Sequence, residues 1–141
     1  MHTYTHKVHY YETDKMGITH HSNYIRWMEE ARMDFLKSVG YGMRRLETEG
    51  ITSPVVSLSC NYLHPTTFDD EIDVTVSPKA YTGVKLTLCY VMTNRESGIV
   101  VFTAESSHCF IDTDGRPIAV KKRFPSFDAL LKRLASADGQ D

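Results

Sequence analysis

The chain has 141 residues, 24% charged and 41% hydrophobic, enough to bury one core without disulfides or structural metal, and a single domain over residues 1–141 is expected. Its net charge of −2, with no basic run longer than Lys121, Lys122 and Arg123, lacks the electrostatic footprint of a nucleic-acid binder. No apolar run approaches the ~18 residues of a membrane span, and the N-terminus lacks the apolar stretch of a signal peptide, so a cytoplasmic location is expected. Cys60, Cys89 and Cys109, odd in number and widely spaced, read as reduced thiols rather than a disulfide framework or zinc site.

Thr3 to Tyr11 alternates in the manner of a partly buried first strand. After a loop carrying Asp14 and Gly17, the stretch from Asn23 to Val39 has no proline or glycine. Tyr24, Met28, Ala31 and Phe35 recur there at helical spacing, widened by Ile25, Trp27, Leu36 and Val39. Ser22 and Asn23 are suited to cap this helix, and Gly40 to end it in a left-handed turn. Arg26 with Glu30, and Glu29 with Arg32, have the spacing of solvated ion pairs. The segment YGMRRLETEG predicts a short second helix ending at Gly50.

Alternating strands follow. The first, after Pro54, has Val56, Leu58, Cys60 and Tyr62 on one face, and the second runs from Glu71 to Ser77 with Ile72, Val74 and Val76 inward. Val84, Leu86, Leu88, Tyr90 and Met92 make another, and the turn NRESG leads into a last strand from Ile99 to Ile111. A terminal helix, with Ser126 as its cap, has an apolar stripe of Phe127, Leu130, Leu131 and Leu134, and the last residues, ADGQD, are expected to fray. Short connections make the strands antiparallel neighbours, so the expected fold is α+β, a curled sheet of about five strands around one long helix.

The loop before the helix concentrates the candidate chemistry. Asp14 follows a strand, Gly17 allows a sharp turn, and the helix aims unpaired N–H groups and its positive end at whatever lies before it. A carbonyl oxygen held there would be polarised by fixed donors, and His20 and His21 stand at the same entrance. Other readings stay open: Asp14 as an Asx-turn residue, the histidine pair as a polar loop, and His64 and His108 as loop and strand residues with satisfied ring nitrogens. Adjacent histidines do not converge on one ion from a regular element, HExxH is absent, and no metal site is expected. The sequence also has no GxSxG elbow, phosphate-binding glycine loop or dinucleotide fingerprint.

With Asp14, Gly17, His21, Asn23 and Tyr24 in view, YYETDKMGITHHSNYIRWMEEAR resembles the signature of the 4-hydroxybenzoyl-CoA thioesterase family, hotdog-fold acyl-CoA thioesterases, and within it the Tol-Pal-associated type. SCNYLHPTTFDDEIDV is similar to that family's second strand and its turn into the third. The resemblance implies hydrolysis of an acyl-CoA thioester with no cofactor beyond the coenzyme in the substrate. Asp14 would then be nucleophile or general base, with the thioester carbonyl at the N–H of His21 or its neighbour and His21 supporting. It also implies that Gly17, Asn23 and Tyr24 shape the substrate site and that the protein is a homodimer or dimer of dimers with its cleft between protomers. Open sheet edges give the pairing independent support. Coenzyme phosphates need cations, and Lys121, Lys122 and Arg123 are the densest group. TDKMG departs from the proline- or alanine-containing loop more usual in the family. A non-catalytic acyl-CoA-binding module is the alternative from another class. A dehydratase or hydratase on the same fold ranks below both, because Glu29 and Glu30 have arginine partners in the sequence.

Overall fold

The computed structural model describes residues 2–139, with side chains to Ser136. Helix α1 is Ser22–Ser38. Its buried face is Tyr24, Trp27, Met28, Ala31, Phe35 and Leu36, with Trp27 and Ala31 wholly out of solvent. The end of α1 is the one the sequence predicts. Gly40 has φ +92°, and the N–H groups of Gly40 and Tyr41 bond the Lys37 and Leu36 carbonyls at 3.1 and 2.8 Å. This Schellman turn needs a residue free to adopt the left-handed conformation. Helix α2, Met43–Glu49, ends the same way at Gly50.

Neither expected surface ion pair on α1 forms among the described residues. Glu30 accepts from the Tyr4 hydroxyl at 2.8 Å, and Arg32 is only 9% exposed, turned inward with Nη1 3.4 Å from the Ser53 carbonyl. An exposed i,i+4 pair is worth only ~0.2–0.5 kcal/mol, too little to outcompete tertiary partners.

Five antiparallel strands, β1 (His2–Lys7), β2 (Val55–Tyr62), β3 (Glu71–Tyr81), β4 (Leu86–Asn94) and β5 (Val100–His108), lie in the order β1-β3-β4-β5-β2. Ile72, Val74 and Val76 of β3 and Leu88, Tyr90 and Met92 of β4 share the core with the α1 stripe. The strands differ from expectation in extent, and β5 ends at His108 rather than at the expected Ile111, which makes only isolated bridges to Thr52 and Pro117. β1 stops at Lys7: Val8 still exchanges backbone bonds with Asp70 and Asp69, and Tyr10–Glu12 then turn as a 3-10 helix. β3 runs on through Pro78, where its register with β4 shifts before Ala80, because a proline offers the ladder no donor. Val84 precedes β4 in the turn and is exposed.

The main correction concerns β2. The predicted alternation holds from Leu58 through Cys60 to Tyr62, but a bulge between Val55 and Ser57 places Val55, not Val56, in phase with them opposite His108. β2 is moreover an edge strand paired only with β5, and Val55, Val56, Leu58 and Tyr62 are 52, 52, 39 and 48% exposed. Its apolar side chains are therefore not core within one chain. A helical turn, α3 (Val120–Arg123), leads into α4 (Pro125–Gly139). Pro125 opens α4, the position where a missing N–H costs nothing, so Ser126 lies inside the helix and does not cap it. Phe127 packs on Tyr41 and Phe110 with ring centroids 4.4 and 5.6 Å away, closing the core beyond the C-terminal end of α1. Of the tail expected to fray, residues 137–139 have helical backbone, and Gln140 and Asp141 lie outside the described residues. The three cysteines are free.

Gly40→Ala puts a Cβ into the left-handed region and is expected to lower stability by roughly 1–2 kcal/mol, read as a reduced urea midpoint at unchanged m-value.

Candidate active site

The segment leading into α1 is held by Glu12, a residue the sequence reading did not single out. Its side chain is buried, and both carboxylate oxygens are satisfied. Oε1 lies 2.8 Å from His6 Nε2 and accepts the His9 N–H at 2.7 Å; Oε2 accepts the Trp27 indole N–H at 2.8 Å. Burial pushes the Glu12 carboxyl up, but the bonds from His9, His6 and Trp27 outweigh it and hold the group below the ordinary carboxylate range. The Glu12 carbonyl accepts the His20 N–H at 2.8 Å and the Asn23 side-chain amide at 2.9 Å. One residue thus joins β1, the loop and the first two turns of α1.

Between Glu12 and α1 the chain makes a tight hairpin. Thr13 bridges Thr19, the Asp14 N–H bonds the Ile18 carbonyl at 2.8 Å, and Gly17 turns at φ +79°. Gly17 contributes a bend and a carbonyl that accepts the Thr67 hydroxyl at 2.7 Å. Asp14 Oδ1 accepts the Met16 N–H at 2.8 Å, the Asx turn that the sequence left open. Its Oδ2 has no hydrogen-bond partner among the described residues. One oxygen is anchored and the other is available.

The helix start differs from expectation. His21 occupies the cap position with helical angles and makes no side-chain cap bond. The Ser22 N–H is met by the His20 ring, with Nδ1 3.2 Å away, and Asn23 donates to Glu12 and does not accept from the helix. The His21 N–H makes no hydrogen bond among the described residues, so a donor remains free at this mouth.

Residues 18–24 partition two cavities. On one side Asp14, Lys15, His20, Ser22, Asn23 and Arg26, with Tyr10 and Tyr11, face an open cavity of about 890 Å³. On the other, Ile18, His21, Tyr24, Tyr62, Leu63 and Pro65 face a smaller apolar one of about 280 Å³. Asp14 and Asn23 are therefore brought together, as are His21 and Tyr24, and the α1 mouth lies between the pairs. Tyr24 is buried, which pushes its phenol up, and its hydroxyl lies 3.0 Å from Thr66 Oγ1; Thr66 in turn lies 2.6 Å from Thr19 Oγ1. The Tyr62 hydroxyl donates to the His21 carbonyl at 3.1 Å. Lys121, Lys122 and Arg123 are not part of this grouping. They precede the Phe127 contact at the far end of α1, a 17-residue helix about 25 Å long.

Two further clusters involve histidine. His6, His9 and Glu12 place potential metal-ligand atoms within 4.8 Å of one another, the one such grouping among the described residues. Protein donors already occupy both Glu12 oxygens, so it reads as a hydrogen-bonded hub. His108 Nε2 lies 2.7 Å from Ser106 Oγ, itself 2.8 Å from the Tyr90 hydroxyl, whereas the buried Nδ1 lacks a bond. This corrects the reading of His108 as fully satisfied. Burial, with the Arg32 charge nearby, lowers its pKa from 6.5 to about 4.

A five-stranded antiparallel sheet packed on one long helix is the hotdog arrangement. The chain belongs to the Thioesterase-like superfamily, whose model matches residues 8–134, and so to a class of thioester hydrolases. It is 34% identical over 128 residues to YneP of Bacillus subtilis, named as a candidate acyl-CoA thioesterase, covering 90% of this chain and 92% of that one. A 1,4-dihydroxy-2-naphthoyl-CoA hydrolase of Thermosynechococcus vestitus is 28% identical, covering 95% and 88%. Among solved structures, a DHNA-CoA thioesterase from Staphylococcus aureus superposes with a TM-score of 0.92 at 27% identity, covering 98% of this chain and 93% of that one.

Glu12→Gln sets an amide N–H against protein donors. It is expected to cost about 1–3 kcal/mol of stability, measured by urea denaturation at neutral pH. His108 is kept neutral in the fold, so its contribution is complete above its unfolded pKa of 6.5 and is lost as the pH falls toward 4. A decline of up to about 3 kcal/mol over that window is expected. Glu12, whose pKa is depressed, adds a further loss below about 4.5. The decline between pH 6.5 and 4 should flatten in His108→Gln.

Proposed function

We propose that the protein hydrolyses an acyl-CoA thioester to a carboxylic acid and free coenzyme A, with Asp14 acting on a carbonyl polarised at the mouth of α1. The observation that carries this is the shared cavity of Asp14 and the first residues of α1, one carboxylate oxygen anchored and the other available. As nucleophile, Asp14 Oδ2 would attack the carbonyl carbon and the thiolate would leave. Water would then hydrolyse the mixed anhydride and restore the carboxylate. As general base, the same oxygen would take a proton from the attacking water. In either case negative charge grows on the carbonyl oxygen, where the free His21 N–H and the helix dipole oppose it. A thioester is already electrophilic and its thiolate leaves readily, so a triad is unnecessary. Within the superfamily, the 4-hydroxybenzoyl-CoA, Tol-Pal-associated type is the finer assignment supported by the signature from Tyr10 to Arg32.

The same reading includes a homodimer or dimer of dimers paired through β2. The open edge of β2, carrying Val55, Val56, Leu58 and Tyr62 in water, supports it. A coenzyme bound at Asp14 would reach Lys121, Lys122 and Arg123 only across such an assembly, since they sit at the other end of α1 in their own chain.

Asp14→Asn is expected to cut free-thiol release from acyl-CoA by about 10²-fold or more, with an unchanged circular dichroism spectrum; undiminished release sinks the Asp14 assignment. A variant that binds acyl-CoA tightly in calorimetry while wild type also releases no thiol would favour the binding-module reading. Leu58→Asp is expected to shift the mass measured by light scattering to that of one chain.

A further inference from the structure

We propose that the coenzyme half of the substrate lies across Tyr10, Tyr11, Lys15 and Arg26 on one side of the α1 mouth, and that the acyl half enters the apolar cavity bounded by Tyr24, Tyr62 and Leu63 on the other. This rests on the acyl-CoA reading above and adds to it the direction in which the thioester lies and the groups that hold its phosphates.

The two cavities differ in charge as the two halves of such a substrate do. The larger carries Lys15 and Arg26 against the single acid Asp14, whereas the smaller is lined by no Asp, Glu, Lys or Arg. Placing phosphates among cations and an uncharged acyl group against Tyr24, Tyr62 and Leu63 avoids stranding charge in apolar surroundings; the reverse arrangement would strand it. The Lys15 and Arg26 side chains make no hydrogen bond or ion pair among the described residues, unlike Lys79, which is paired with Glu105, and Arg95, paired with Glu71. They remain available to an incoming anion.

The aromatic residues add a second, independent feature. Tyr10 and Tyr11 are 76 and 80% exposed, an unusual state for two adjacent large rings. Neither is loose. Tyr11 stacks parallel to His9 with centroids 5.0 Å apart and planes 6° apart, and Tyr10 meets the edge of Phe68 at 5.6 Å. A ring fixed from behind with its outer face in water is a platform for a flat heterocycle, and a purine is the flat part of coenzyme A. Tyr10, Tyr11, Lys15, Arg26 and Asp14 line one cavity with Ser22 and Asn23 at the start of α1, and the neighbouring His21 and Tyr24 line the apolar one. A thioester that spans the two cavities has its reacting centre at the segment they share, where Asp14 lines one cavity and His21 the other.

The test compares two thioesters with the same acyl group, one on coenzyme A and one on N-acetylcysteamine, which has no nucleotide or phosphate. In the Lys15→Ala/Arg26→Ala double variant, the wild-type preference for the coenzyme thioester in kcat/KM is expected to fall roughly tenfold or more per cation removed. Tyr11→Ala is expected to reduce that preference by roughly fivefold or more, and adenosine 3′,5′-bisphosphate is expected to inhibit both variants more weakly than wild type. Leu63→Trp, which narrows the apolar cavity, is expected to move acyl preference toward shorter chains. A preference that survives in the Lys15/Arg26 variant, or that vanishes only in Lys121→Ala/Lys122→Ala, overturns the coenzyme placement while leaving acyl-CoA hydrolysis standing. Wild-type protein that releases thiol from neither member of several acyl pairs overturns the acyl-CoA reading and this inference with it.

Discussion

A carboxylate removed from water destabilises a fold severely unless donors replace its hydration. Glu12 meets that demand with three donors drawn from three places: a β1 histidine, the backbone of the following turn and an indole on α1. Because the donors are distant in sequence or differently oriented, the carboxylate is satisfied only when strand, turn and helix take one mutual arrangement. The main-chain carbonyl of the same residue then fixes His20 and Asn23, and hence the start of α1. The position of Asp14 relative to the helix mouth follows from this constraint, since Asp14 lies two residues beyond Glu12 in a hairpin anchored to Thr66 through Thr19.

From that anchor the chemistry separates by side. Within residues 18–24, Ile18, Thr19, His21 and Tyr24 line a cavity without Asp, Glu, Lys or Arg, while His20, Ser22 and Asn23 line one that carries Asp14, Lys15 and Arg26. Glycine, not a functional side chain, makes this possible at position 17, where the backbone turns at positive φ and returns toward the helix.

How much was legible in the sequence depended on how local each cause was. The alternation of Ile72, Val74 and Val76, the helical spacing from Tyr24 to Phe35 and the stop at Gly40 are written in neighbouring residues, and the structure reproduces each. The convergence of Asp14 on the α1 mouth was likewise readable, because Asp14, Gly17 and the helix start lie within a few residues of one another. Glu12 was invisible because its partners include Trp27, fifteen residues on, and nothing local distinguishes it from a surface acid. Arg32 and Glu30 follow the same logic: their spacing suggests solvated pairs, and only the fold shows Ser53 and Tyr4 within reach. In β2 the period holds from Leu58 to Tyr62 and fails at Val56, where a bulge that no local pattern announces shifts the phase, and alternation reports which residues share a face and not whether anything covers it. Charge alone singles out Lys121, Lys122 and Arg123 in the sequence, and charge holds no information on distance, which in one chain places them near the other end of α1.

The pairing of β1 with β3 joins positions 2–7 to positions 71–76, whereas β3, β4 and β5 connect through short turns. Closing the longer loop carries the greater entropic penalty, so the β3–β4–β5 meander is the natural early structure and β1 a late arrival. Since His6 on β1 is one of the groups that holds Glu12, the segment leading into α1 is fully anchored only when this first strand docks. It also stands among the first regions to come apart: loss of turnover under mild denaturant would precede melting of the central sheet, making the enzyme's own activity a gauge of fraying at one edge.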